Sequence, residues 1–249
     1  MESRENRATR IMLSEPSYGL IDFRAHDNRL DFYMHLARNE RDEEGNKKFE
    51  FFTGNMGRYV VHMQREDMAY AALETGMDYI LFIDDDMMVP PDTLFRLLAH
   101  EKPIVGALAF QRVPPFYPVL YASEEKGHDE LGRTKMDFRV IKEYPENELF
   151  PVDEIGFGCV LIDTEVLKNT PRPWFSSWTA IGEDIFFCYK AGKEGFQTYC
   201  DTSLKIGHIG DKMLITEKQY QQFTKERHLR VYEGWKSRDE ETQEAPTGI

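Results

Sequence analysis

Cysteine is scarce in this sequence: Cys159, Cys188 and Cys200 are the three among 249 residues. Their number is odd, no CxxC spacing occurs, and each sits in an apolar or aromatic run where a thiol behaves as a small hydrophobe. The chain is long enough to bury a sizeable core without disulfide staples, and these thiols fit a reducing cytoplasm. Long hydrophobic runs are missing too. No stretch reaches the roughly eighteen apolar residues of a membrane span, and the opening MESRENRATR is charged rather than built as a signal peptide, so neither spanning nor secretion is expected. Positive charge is in short supply: the formal net charge is −13 and the pI is near 5.1, which disfavours a general electrostatic hold on nucleic acid. A local basic stretch at residues 225–238, with Lys225, Arg227, Arg230, Lys236 and Arg238, is the exception, and it reads equally as a solvated helix face. There is no GKS or GKT loop of the kind that cradles ATP phosphates, and no internal repeat.

What is present is an alternation of short apolar runs with helix-forming segments. Ile11-Met12-Leu13 reads as a strand entering the loop Ser14-Glu15-Pro16-Ser17-Tyr18-Gly19, before a helical segment near residues 25–37. Residues 49–53 read as a strand and 65–74 as a helix that stops before Gly76. Residues 79–83 form a continuous apolar run, the pattern of a strand buried on both faces of a sheet. Pro91 and Asp92 open a helix to His100, with Asp92 as its N-terminal acid, and 103–108 is the next strand. Residues 111–151 are irregular and rich in proline and charge, which predicts a mobile surface excursion with edge strands near 119–121 and 138–141. Residues 160–162, the aromatic stretch 173–178, a helix over 184–191 and a strand over 197–200 complete the core. Strands alternating with helices predict an α/β fold with a mostly parallel central sheet flanked by helices. One domain is expected, with a first half to about residue 110, a second to about 238, and a disordered tail over 239–249.

The strongest signal is Asp84-Asp85-Asp86 directly after the apolar run 79–83. Three carboxylates thus arrive at the carboxyl end of a buried strand, the edge where ligands sit in open α/β sheets. Like charges so close repel unless a cation shares them, and oxygen ligands suit Mg2+ or Mn2+. A solvated turn or helix cap is the plainer reading, but Asp92 is already assigned to the next helix.

In this setting the triplet resembles the DxD motif of nucleotide-sugar glycosyltransferases of the GT-A fold, broadly those of family 2. Pro16-Ser17-Tyr18 resembles the early nucleoside loop, Arg65 heads the following helix, Gly156-Phe157-Gly158-Cys159 resembles the acceptor-side glycine segment, and Gly182-Glu183-Asp184 resembles the ED motif. The ordered set spans roughly residues 11–210, and its texture is similar to small bacteriophage glycosyltransferases. The resemblance implies that Asp84 contacts the donor ribose or the metal, that Asp86 binds the metal bridging the donor phosphates, and that Asp85 supports them. It implies Asp184 as general base toward the acceptor hydroxyl, with Glu183 orienting, and inversion at the anomeric carbon. His208, between Gly207 and Ile209, stands where such enzymes complete the metal shell, although a buried structural histidine would look the same. Tyr18 would stack on the donor base and Arg65 would neutralise the diphosphate. Otherwise Tyr18 packs the loop and Arg65 pairs with Glu66 or Asp67. Trp174 and Trp178, beside Phe157 and Phe175, would form a sugar-stacking wall, or else ordinary core. One departure stands out: Phe52-Thr53-Gly54-Asn55 replaces the acidic base-reading stretch of the family.

These readings converge on a metal-dependent transferase moving a sugar from a nucleotide-diphosphate donor, a UDP-sugar, to an acceptor hydroxyl. Two other classes compete. A metal-dependent nucleotidyltransferase or phosphotransferase would also use the acidic strand end, but gives no role to Glu183 and Asp184. A non-catalytic sugar-nucleotide-binding module would need no base. The acceptor is open between a glycan, a small metabolite and a hydroxymethylated base in DNA.

Overall fold

The computed structural model describes residues 7–54, 59–128, 130, 132, 134–177, 181–210 and 214–225. Strand β1 (Thr9–Ser14) leads to helix α1 (Phe23–Arg38), β2 (Phe49–Gly54), α2 (Val61–Glu74), β3 (Tyr79–Ile83), the short β4 (Met87–Met88), α3 (Thr93–Ala99) and β5 (Ile104–Leu108). There follow β6 (Leu120–His128), β7 (Thr134–Val140), β8 (Leu149–Val152), β9 (Glu154–Ile155), β10 (Cys159–Asp163), α4 (Thr164–Asn169), α5 (Glu183–Lys193), β11 (Thr198–Lys205), β12 (Gly207–Ile209) and β13 (Leu214–Ile215).

A seven-stranded sheet runs β2-β1-β3-β10-β5-β11-β8. β1 is parallel to β2 and β3, and β11 to β5, while β10 opposes both its neighbours and β8 opposes β11. Five of the seven strands therefore share a direction, which is the expected α/β class with a mostly parallel sheet flanked by helices. Alternation along each strand sends side chains to two faces. Met12, Ile80, Phe82, Ile104, Val160 and Ile162 face α2, α4 and α5. Ile11, Leu13, Leu81, Ile83, Val105 and Leu161 face α1 and α3. Both faces are covered, and this is why the central strands read as unbroken apolar runs.

The reversal of β10 brings two distant parts of the chain to one place. Cys159 pairs with Ile83, so the residues entering β10 meet the residues leaving β3 at one sheet edge. The ends of β1 and β5 lie at that same edge, because both run with β3.

Three expectations need correction. The stretch after β5 is more regular than its composition implied: β6 and β7 form an antiparallel pair, and β9 adds to the other side of β6. Its charges sit on an exposed face as neighbours such as Arg139 and Glu124, 3.5 Å apart, rather than marking a loop. Asp92 occupies the N-cap of α3 without a side-chain capping bond, and Thr93 Oγ1 donates instead to the Pro90 carbonyl at 2.6 Å. Arg65 lies in the second turn of α2, not at its head, since the helix starts at Val61. Among the described residues no helix is long and apolar enough to cross a membrane. Of the basic stretch 225–238 only Lys225 lies within the described residues, and the tail 239–249 lies outside them.

Candidate active site

Four chain segments reach the shared sheet edge and, with α2, enclose a cavity of about 260 Å3. Its lining includes Pro16, Ser17 and Tyr18 after β1, Gln64 and Arg65 from α2, Asp84, Asp85 and Asp86 after β3, Arg112 after β5, and Glu183 and Asp184 opening α5. Eight of the residues singled out in the sequence thus meet in one place: Pro16, Tyr18, Arg65, Asp84, Asp85, Asp86, Glu183 and Asp184. Five carboxylates line the cavity against two guanidinium groups, so it attracts cations on balance.

Each wall is fixed by identifiable bonds. The carboxamide of Gln64, fully buried, accepts from Ser17 N at 2.9 Å and donates to the Ser17 carbonyl at 3.1 Å, clamping the loop that carries Pro16 and Tyr18. Tyr18 itself is 70% exposed, so its ring does not pack the loop but stands open at the mouth. Asp84 N donates to the Gly158 carbonyl at 3.0 Å, and the Asp84 carbonyl accepts from Arg29 Nη2 at 3.1 Å. Arg29, buried on α1, also pairs with Glu15 at 2.9 Å and so ties the first loop to the acidic turn. Asn28 bonds both backbone groups of Val89, at 2.9 and 2.7 Å, and anchors the far side of that turn.

Arg65 is the electrostatic centre. Its guanidinium is 3% exposed, with Nη2 at 2.5 Å from Asp84 Oδ1 and Nη1 on Glu183 Oε1. Neither Glu66 nor Asp67 is its partner. Glu66 is engaged elsewhere, accepting from Trp174 N and Phe175 N at 2.7 and 2.9 Å. Burial pushes the Asp84 carboxyl up to about 6, with Asp86 and Asp184 adding to the rise and Arg65 opposing it. Burial and the neighbouring Glu183 also raise Asp184, against the pull of Arg65 and of backbone N–H groups at Ile185 and Phe157. Asp85 is raised by burial and held back by Ser17. Asp86 goes the other way: burial would raise it, but the hydrogen bond and charge of His208 together with the Arg112 charge hold it below the usual range.

His208 reaches Asp86 through strand pairing. β4, which begins one residue after Asp86, pairs antiparallel with β12, so that Met87 is opposite His208, and Ile209 N donates to the Asp86 carbonyl at 2.8 Å. The imidazole Nδ1 lies 2.7 Å from the Phe110 carbonyl, and Nε2 lies 3.2 Å from Asp86 Oδ2. A carbonyl only accepts, so Nδ1 carries the proton, and in the neutral ring the Nε2 lone pair points at a carboxylate oxygen. The pair is joined either by a proton on Nε2, which makes the contact a hydrogen bond, or by a cation touching both atoms. Histidine fixed from behind by a carbonyl is also the usual arrangement of a metal-ligating ring. Among the described residues no three His, Cys, Asp or Glu side chains gather at metal-binding distance.

The acceptor-side expectations fare differently. Phe157 is 1% exposed and Trp174 3%, the latter donating Nε1 to the Leu167 and Thr170 carbonyls at 3.0 and 2.9 Å. Both pack in the core with Phe82, Phe175 and Phe187 and offer no face to a sugar, which corrects the stacking-wall reading of these two. A Cβ at Gly156 would strike the Val119 side chain at its Cβ, so that glycine permits close packing, whereas at Gly158 it would meet the flexible end of Met87. Their segment serves the site through backbone, the Phe157 carbonyl accepting from Arg65 at 3.3 Å. Trp178 and Asn55 lie outside the described residues.

Sequence reading missed Gln64, Arg29 and Arg112. The first two carried no signal, being single polar residues on helical segments. Arg112 Nη1 lies 3.0 Å from Asp86 Oδ2 with its side chain 56% exposed, and its place just beyond β5, at the ligand-binding sheet edge, could have flagged it.

No family model matches the chain, and no curated protein matches it. Among solved structures it is similar in fold to A197 from STIV, at 20% identity over 85% of this chain and 92% of that one, with a TM-score of 0.53. GalNAc-T7, crystallised with UDP, GalNAc and Mn2+, is similar at 13% identity and a TM-score of 0.45. The match covers 89% of this chain but 48% of that one, so this chain spans about half its length. An apo UDP-glucose pyrophosphorylase is similar at 6% identity over 90% of this chain and 99% of that one, with a TM-score of 0.47. At these identities the likeness is one of fold.

Proposed function

We propose that the protein is a metal-dependent glycosyltransferase of the GT-A type, moving a sugar from a nucleotide-diphosphate donor, a UDP-sugar, to an acceptor hydroxyl with inversion. The observation that carries this reading is the convergence of Asp84 and Asp86 with Glu183 and Asp184 around one cavity, with His208 reaching Asp86 from behind, because donor binding and proton transfer then share a single site. Asp86 and His208 would hold Mn2+ in preference to Mg2+, since one ligand is nitrogen. A dication there supplies charge to offset that of a diphosphate leaving group.

The protein groups divide the remaining work. Tyr18, open at the mouth, covers the donor base, and Pro16 shapes its loop. Asp84 and Asp85 face the ribose side. Arg65 has both Nη atoms on carboxylates, so its main effect is to let Asp84 and Glu183 stay charged side by side. Arg112, exposed and paired with Asp86, is the guanidinium able to turn to donor phosphate. Asp184 takes the acceptor proton as the acceptor oxygen bonds to the anomeric carbon and the bond from that carbon to the phosphate oxygen breaks. Its raised proton affinity makes it a stronger base than an ordinary carboxylate.

The test is incubation with a panel of nucleotide sugars and Mn2+, reading released products. Nucleoside diphosphate with free or transferred sugar is expected. Pyrophosphate release would instead mark a nucleotidyltransferase, and binding without turnover a non-catalytic module.

A further inference from the structure

A second cavity, of about 350 Å3, shares no lining residue with the one at the Asp84 to Asp86 turn. It is bounded by Ser123, Glu125 and Met136 of the β6–β7 pair, by Asp153 and Glu154, by Cys188, Tyr189, Gly192 and Lys193 of α5, and by residues 195–198. Helix α5 runs from the first cavity to this one. On α5, Asp184 lines the first cavity, and Cys188 and Gly192, four and eight residues on along the same helix face, line the second. Eight residues of helix span about 12 Å. The cavity therefore sits about that far along α5 from the candidate base.

Its interior holds a carboxyl answered only in part, by Ser123. Glu154 is 1% exposed, and its Oε2 has no hydrogen-bond partner. A buried acceptor left so is costly and is normally matched by a ligand, an ion or water. The rim adds the Lys193–Glu125 ion pair, with the Tyr189 hydroxyl 3.4 Å from Glu125, and the walls include Tyr189, Phe196 and Met136. Glu125 and Asp153 against Lys193 leave the cavity negative whether or not Glu154 is protonated, which repels a phosphate backbone.

The geometry points to a distal acceptor subsite: the cavity behind α5 takes an outlying sugar unit of a glycan, with a hydroxyl or amino group donating to Glu154 Oε2, while the reacting hydroxyl lies at Asp184. This rests on the glycosyltransferase reading for the role of Asp184, but binding in the cavity can be read without it. Hydroxyl donors satisfy the orphan oxygen, and aromatic and thioether walls suit the apolar faces of a sugar ring.

The full chain, fluorescently labelled, is applied to a printed array of bacterial, plant and animal glycans and, in parallel, titrated with a twelve-base-pair DNA duplex. Specific binding to one glycan class is expected, lost at least tenfold in Glu154→Leu. Should that variant not fold, Gly192→Met serves: Gly192 has open space where a Cβ would stand, so the longer side chain blocks the cavity without disturbing the helix. A blank array, glycan binding unaltered in the folded variants, or binding of the duplex instead would overturn the subsite. Failure of nucleotide sugars to stabilise the protein, with glycan binding intact, would overturn the donor reading alone.

Discussion

The Nε2 of His208 faces the Oδ2 of Asp86 at 3.2 Å across 122 residues of sequence. The contact exists because β12 pairs with β4, and because the Phe110 carbonyl behind the ring holds the proton on Nδ1. The proposed function gives this pair the task of holding the dication.

Mn2+ affinity should therefore depend on both side chains. Asp86→Asn and His208→Ala are each expected to weaken Mn2+ binding by at least about tenfold, as read by electron paramagnetic resonance of the free ion. The effect should persist without any nucleotide sugar. Equal affinity in either variant would show that the ion lies elsewhere.

Arg65 presents a different kind of dependence. Removing a buried cation leaves Asp84 and Glu183 facing each other unpartnered, which typically costs about 3–5 kcal/mol. Arg65→Ala should show a loss of this size in urea unfolding at neutral pH, and a smaller one near pH 4, where Asp84, with its carboxyl at about 6, is already protonated. An unchanged midpoint at neutral pH would contradict the bridging role.

Asp184→Asn should lower turnover by roughly 10²- to 10⁴-fold while nucleotide-sugar stabilisation survives, because the amide keeps the shape and loses the base. In the wild type the acid limb of the rate profile should lie above the ordinary carboxylate range, since Asp184 must lose a proton whose affinity burial has raised. Full activity in the variant would move the base to another group.

Glu154 yields a stability prediction. Burial raises its carboxyl to about 7 from 4.5, so between those values the folded chain holds a proton that the unfolded chain has released. Stability contributed by this group falls as pH rises through that window and stays low above it. Glu154→Gln should remove the fall and be more stable at pH 8 by about 3 kcal/mol, judged by unfolding at pH 4.5, 6 and 8. Parallel pH profiles for the two proteins would count against the burial of this charge.

Much of the architecture was legible in the sequence, for physical reasons that differ by residue. Residues 79–83 read as a buried strand because both its faces are covered, and the triplet at its end read as a candidate site because clustered carboxylates repel one another unless a cation shares them. Asp184 was visible through its neighbours in the chain. The reversal of β10 was not, since an apolar run carries no direction, and with it went the true role of residues 156–158 as backbone supports. Phe157 and Trp174 looked like a sugar platform because burial, not composition, decides whether an aromatic ring is a wall or a core. The β6–β7 pair was legible in part, near 119–121 and 138–141, while charge on its exposed face hid the rest; the cavity with Glu154 was hidden too, because that acid is brought inside only when β9 joins β6.

The most direct measurement is anomalous scattering at the manganese edge from crystals soaked with Mn2+ and a UDP-sugar. A single strong peak in contact with Asp86 and His208, with diphosphate density beside it, is the predicted result. A peak elsewhere, or density for the nucleotide with those two side chains still facing only each other, would contradict the account.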